Sequence, residues 1–317
     1  MKAAQLYQYD PAMNVDLVVE NIPEPNINSP EDVIVRVGAA GLCRTDLHII
    51  EGVWRSVMDP EQTLLPYVMG HENAGWVEEV GSGVRFVKRG DAVICHPLRS
   101  CGVCSGCRRG EDMYCENGQL PGFAINGGFA EYLLTNERAL IKLNENVLPL
   151  DVAPMADAGI TAYRVAKQAA MHLNPGSYCV VMGVGGLGHI AIQCLREICS
   201  ARIVAVDTNL AARDLAKELG AYRTVDGGPN VIDEIREITG GGAHVVIDFV
   251  AELGAEQICW QMLRQGGTHF IVGYGGRIEI PTVHSRMIGS SVVTPTNFLA
   301  LKPARKLWMW QSCRSFR

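Results

Sequence analysis

Residues 178–188 read YCVVMGVGGLG, a short apolar run followed at once by a glycine-rich turn. A strand with no polar alternation is buried on both faces, the hallmark of a parallel sheet covered by helices. Gly183, Gly185, Gly186 and Gly188, set around Val184 and Leu187, form G-x-G-x-x-G. Such a turn lets the backbone approach a diphosphate, and the helix read from Gly185 to Cys199 offers its N-terminus to the same anion. The next apolar run, RIVAVD, ends in Asp207, nineteen residues after Gly188. Strand, glycines, helix, strand and acid in this order predict a dinucleotide site, with Asp207 on the adenosine ribose. A carboxylate there repels a 2′-phosphate, so NAD is expected rather than NADP; Arg213, a turn beyond, softens that preference.

The alternation continues. NLAARDLAKELG (209–220) and VIDEIREITG (231–240) read as amphipathic helices. HVVIDFV (244–250) reads as a strand, 254–265 as a helix and HFIVG (269–273) as a strand, which together predict an α/β, doubly wound parallel sheet. The first half is different. VIVRVGAAG, GWVEEV, DAVICHP and AEYLLT are short strands broken by Gly and Pro, so an irregular β-rich domain is expected there. A length of 317 residues accommodates two domains of about 150 residues each.

Four of the eleven cysteines fall in CGVCSGCRRGEDMYC, residues 101–115. The start of the chain, MKAAQLYQYDPAMN, has no apolar core of a signal peptide, and no apolar run reaches the roughly 18 residues of a spanning helix. A cytoplasmic protein with no membrane partner is therefore expected, where dense thiols indicate a metal rather than disulfides. Cys101, Cys104, Cys107 and Cys115 are spaced to turn onto one ion, with Gly102, Gly106 and Gly110 permitting the turns. Four thiolates with no open position describe a closed structural zinc site; an iron–sulfur cluster is the metal alternative. A net charge of −6 and the lack of interleaved aromatics argue against nucleic acid.

Cys43, in GLCRTDLH (41–48), and His71, in GHENAGWVEEVGSGV (70–84), are each unremarkable alone: a Cys is often a small core residue and a His a buried structural one. With GD at 90–91, the cysteine lobe and GVGGLG, they give the chain a pattern that resembles the zinc-dependent medium-chain alcohol dehydrogenases over residues 1 to about 295. The resemblance implies a GroES-like catalytic domain over 1–158, with its zinc lobe at about 95–116, and a Rossmann NAD-binding domain over 159–294. It implies two zinc ions per chain, one structural and one catalytic, the latter held by Cys43 and His71 between the domains. The family's third ligand is commonly Cys in a stretch like CAG-T-Y. Here DAGITAY puts Asp157 in that position, as in some members that act on ketones, and carboxylate oxygen is an accepted zinc donor. Glu72 is expected as a transient fourth ligand or as an acid behind the others. Asp46 resembles the carboxylate that orients the zinc-bound His. Arg44 resembles a pyrophosphate contact and Thr161 one to the nicotinamide. Thr45 and His48 resemble the proton relay, for which an imidazole with an ordinary pKa near 6.5 is suited.

The reaction implied is hydride transfer between an alcohol, secondary by analogy, and NAD, giving a ketone or aldehyde. A homo-oligomer, dimer or tetramer, goes with it. Trp54 either lines the substrate pocket or fills space. After GSSVV (289–293) the text departs from the family: residues 295–317 hold Lys302, Arg305, Lys306, Arg314 and Arg317 and no acid. That stretch reads as a variant or a shortened ending, poorly packed. A protein that binds zinc and NAD without turnover, and a polyol or sugar dehydrogenase, are the alternative functions.

Overall fold

The computed structural model describes residues 1–280 and 289–293. Expectations for 295–317 lie outside the described residues. Two compact units divide the chain, one formed by Met1–Ile160 and the other running from Thr161 onward.

The first unit is built on antiparallel sheets. Strands β1 (Lys2–Leu6), β2 (Val18–Asn21) and β4 (Tyr67–Val68) make a three-stranded sheet in the order β2-β1-β4. Strands β3 (Asp32–Gly41), β5 (Glu72–Val80), β6 (Ala92–Cys95), β7 (Tyr132–Asn136) and β8 (Leu140–Lys142) make a five-stranded one, ordered β7-β3-β5-β6-β8. Val33, Val35, Val77, Val93, Leu133 and Leu140 fill its core. Each such side chain stabilises the fold by about 1.5–3 kcal/mol through removal from water. The register of β3 against β5 slips between Ile34 and Val35 and again between Val37 and Ala39. These bulges bend the long pair, and Gly75 is required at the crossing because a Cβ there would run into the Arg36 carbonyl oxygen.

The second unit is the parallel sheet the sequence predicts. Strands β9 (Tyr178–Met182), β10 (Arg202–Asp207), β11 (Arg223–Asp226), β12 (Ala243–Asp248), β13 (Leu263–Ile271) and β14 (Ser291–Val293) lie in the order β11-β10-β9-β12-β13-β14. The chain starts in the middle, winds outward one way and then the other, leaving a switch point beside β9. Val180, Val204, Val246 and Leu263 are among its wholly buried core residues.

Boundaries differ from expectation in three places. The helix after the glycines spans Gly188–Ile198 because the glycines themselves form the turn. Strand β12 stops at Asp248, whose Oδ1 accepts from the Val250 and Ala251 amides at 2.9 Å each and folds the chain over. The helix expected to 265 ends at Met262, since Leu263 is already paired with Ala243 across a bulge in β13.

Candidate active site

Cys43 follows β3 and caps the helix Arg44–Ile50. Glu72 opens β5 and His71 stands just before it, the strand being entered through Gly70, whose φ of +95° suits glycine alone. Asp157 sits between a turn at Ala153–Ala156 and the helix Ala158–Ala170. These four residues, drawn from three parts of the first unit, each offer one ligand atom within 4.8 Å of the others.

Asp46 organises two of them. Its Oδ2 accepts from the Cys43 amide at 2.9 Å, and its Oδ1 lies 3.0 Å from His71 Nδ1. A carboxylate has no proton to give, so Nδ1 carries the hydrogen and Nε2 presents its lone pair. That Nε2 is buried without a hydrogen-bond partner and faces Asp157 Oδ2 at 3.3 Å. A lone pair aimed at a carboxylate is repulsive unless a proton or a cation lies between them. Burial opposes a charge on His71, but Asp157, Asp46 and Cys43 outweigh it and raise the imidazole well above its ordinary range. The same negative potential suits a divalent cation. Cys43, His71 and Asp157 supply thiolate, imidazole and carboxylate, an accepted zinc set whose charge Zn²⁺ neutralises.

Glu72 is buried behind them, with Oε1 accepting from the Ala158 amide at 3.2 Å. Burial, and then the nearby Asp157 carboxylate, push it up to about 7. Gly41 leaves room for it, since a Cβ there would strike Glu72 Oε2. Thr45 Oγ1 lies 3.5 Å from Cys43 Sγ, beside the ligand group. His48 is buried, and its Nε2 is 4.0 Å from Glu51 Oε2. Arg44 projects outward, with Nη1 3.6 Å from Glu51 Oε1. Trp54 belongs to an apolar cluster with Ile49, Tyr67 and Phe123. Phe123 escaped the sequence reading: its ring stands edge-on to His71 at 4.9 Å between centroids. Aromatic residues in a loop carry no spacing signal.

Cys101, Cys104, Cys107 and Cys115 also bring their sulfurs within 4.8 Å. The Cys101 amide donates to Cys115 Sγ at 3.2 Å and the Cys104 amide to Cys101 Sγ at 3.4 Å. Amides from Val103 and Cys104 lower the Cys101 thiol to about 6, whereas burial drives Cys107 up to about 12. Gly102 and Gly110 have positive φ, while Gly106 lets the Tyr114 carbonyl pack close. A staple that the sequence did not reveal anchors the lobe. Arg138 grips Asp112 with Nε and Nη2 at 2.7 and 3.0 Å, and Ser100 Oγ donates to Asp112 at 2.8 Å.

In the second unit, Gly183 has φ +85°, and a Cβ on Gly188 would collide with the Gly183 carbonyl. A Cβ on Gly185 or Gly186 would meet nothing within 4 Å, so the outer lip of the turn is open. That is the form of a phosphate cradle. Leu187 precedes the helix as its N-cap, and Thr161 is buried in the helix Ala158–Ala170. Asp207 holds the turn, accepting from the Val184 and Asn209 amides at 2.8 Å each, and its oxygens retain further lone pairs. Arg213 is engaged elsewhere: Nη1 donates to the Asp207 carbonyl at 2.7 Å and pairs with Asp226 at 2.8 Å. No helix of the described residues is long and apolar enough to cross a membrane.

Residues 29–145 match the family described as alcohol dehydrogenase GroES-like domain, and 186–299 the family described as zinc-binding dehydrogenase. The crystal structure of the alcohol dehydrogenase from the hyperthermophilic archaeon Aeropyrum pernix is similar at TM-score 0.89 and 41% identity, over 98% of this chain and 90% of that one. A D-arabinose 1-dehydrogenase (NADP(+)) of Saccharolobus solfataricus is 37% identical over 87% of this chain and 77% of its own length. An NAD-dependent alcohol dehydrogenase of Sulfolobus acidocaldarius is 35% identical over 87% of this chain and 78% of its own.

Proposed function

The chain belongs to the zinc-dependent medium-chain alcohol dehydrogenases, and on that premise we propose that it interconverts secondary alcohols and ketones with NAD. The observation that carries the site assignment is the orphaned His71 Nε2, set among Cys43 and Asp157. Cys43, His71 and Asp157 hold the catalytic zinc, and Glu72 stands behind them as an intermittent donor. Bound there, zinc would supply Lewis acidity at the alcohol or carbonyl oxygen, and NAD would supply the hydride-carrying capacity of the reaction.

The protein's own groups do the rest. Asp46 fixes the His71 tautomer and the Cys43 backbone at once. The Thr45 hydroxyl, beside Cys43 Sγ, accepts the substrate proton as it releases its own, and the His48 imidazole receives the proton released. The glycine turn and its helix N-terminus bind pyrophosphate, Arg44 adds a cation, Thr161 packs on the nicotinamide and Asp207 accepts from the ribose. Cys101, Cys104, Cys107 and Cys115 hold the structural zinc. The proposed domains are 1–158, catalytic, and 159–294, nucleotide-binding. A homo-oligomer in the cytoplasm completes the reading.

A sugar or polyol dehydrogenase is the second reading, favoured by the 37% identity to the D-arabinose enzyme. Rates on simple secondary alcohols and on sugars and polyols, followed by NADH absorbance, separate the two. Faster turnover of the sugars would replace the first reading. Asp157→Ala should abolish turnover and remove one zinc ion per chain; full rate with unchanged zinc would exclude Asp157 as a ligand.

A further inference from the structure

The second unit carries another gathering of metal donors, remote in sequence from the two already described. Asp248 ends β12, His269 lies in β13 and Cys259 in the helix Ala255–Met262. In the parallel register His269 pairs with Val246, so Asp248, two residues on, projects from the same face of the sheet. All three residues are 0% exposed. One donor atom from each lies within 4.8 Å of the other two.

Two of these donors are unmatched. Asp248 Oδ2 has no hydrogen-bond partner among the described residues, and neither has either ring nitrogen of His269. Asp248 Oδ2 and His269 Nε2 stand 3.8 Å apart, too far to bond each other. Asp248 cannot turn to relieve this, because its other oxygen is tied to the Val250 and Ala251 amides. Around them Val246, Met262 and Leu263 belong to the same buried cluster as Cys259, and the buried Glu256 carboxyl lies near enough to act on the Cys259 thiol. Asp248 is not isolated, since Oδ1 accepts the two amides and the Cys259 thiol bonds the same carboxyl group, yet orphaned buried polar atoms such as Oδ2 are rare even singly.

We propose that Asp248, Cys259 and His269 are ligands of a third zinc ion, one that ties β12, β13 and the covering helix together. Carboxylate, thiolate and neutral imidazole sum to −2, so Zn²⁺ makes the site neutral. The donor types are those zinc accepts. Ligands at about 2.0–2.1 Å in a tetrahedron stand about 3.4 Å apart, so the 3.8 Å between Asp248 and His269 closes with a small side-chain movement. The ion answers the Asp248 and His269 Nε2 orphans together. The role of the ion is to hold the sheet.

Zinc per chain in the full-length protein, measured by mass spectrometry, should be three. Zinc-edge anomalous diffraction should place one peak between Asp248 Oδ2, Cys259 Sγ and His269 Nε2. Cys259→Ala and Asp248→Asn should each lose that one ion; Asn keeps an oxygen for the Val250 and Ala251 amides. A wild-type map with no peak there overturns the proposal, whatever the variants do. So does a third ion that persists in both variants.

Discussion

Asp46 uses each carboxylate oxygen once, one for the Cys43 amide and one for His71 Nδ1. Asp46→Asn keeps the shape but lets an amide group face the imidazole, so the tautomer is no longer enforced. Loss of such a partner costs about 10–100-fold in metal affinity. Competition with a chelator should show one zinc ion weakened by that factor while the lobe ion is unmoved. Asp207 governs a second choice. Its charge would meet the 2′-phosphate of NADP, and Arg213 is already paired with Asp226. We expect NAD to be preferred by roughly a hundredfold, about 2.7 kcal/mol. Asp207→Ser should narrow that gap by raising kcat/KM for NADP. Adding Asp226→Asn should narrow it by a further few-fold, since Arg213 then keeps only its bond to the Asp207 carbonyl and its charge is no longer answered by Asp226. Equal use of both cofactors by the wild type would show that Asp207 does not face the ribose.

At the scale of the element, the cysteine lobe is held twice, by its thiolates and by the Arg138–Asp112 staple. Cys115→Ser should release one zinc ion and lower Tm, because metal binding at such a site is folding free energy. Arg138→Met should leave zinc in place yet destabilise by about 1–3 kcal/mol in urea unfolding, the cost of leaving the buried Asp112 with only the Ser100 hydroxyl to answer its charge. What was legible in the sequence divides along the same line. The glycine turn and the four cysteines are contiguous, so their chemistry is readable from spacing. Cys43, His71 and Asp157 are scattered, and only the resemblance joined them. Asp112 and Arg138 gave no signal, because a single Asp and a single Arg far apart look like any surface charges. Strand β11 also escaped, since four residues with one buried side chain, Val225, show no period. Leu263 looked helical because its pairing with Ala243 is a tertiary contact that overrides the local pattern.

Across the whole molecule, pH and metal should act together on stability. Glu72 titrates in the folded protein at about 7, above the 4.5 of a free side chain, so the metal-free fold binds extra protons between those values. Its contribution therefore falls as pH rises through that window. His71, raised well above 6.5, adds stability that is present below that value and lost as pH climbs through its folded pKa. Zinc requires both ligand groups deprotonated, so its stabilisation grows in the same direction. The Tm gap between zinc-loaded and zinc-stripped protein should widen from about pH 4.5 to pH 7 and beyond; a gap that narrows would count against this ligand set. Every proposed zinc ligand of the reaction precedes Ile160, and every residue proposed for the glycine cradle and the ribose follows it. Reactivity and coenzyme taste are thus written in separate stretches of the gene. Natural recombination near codon 160 can trade one without rewriting the other, and a laboratory chimera made there inherits its appetite for alcohol from one parent and its choice of nucleotide from the other.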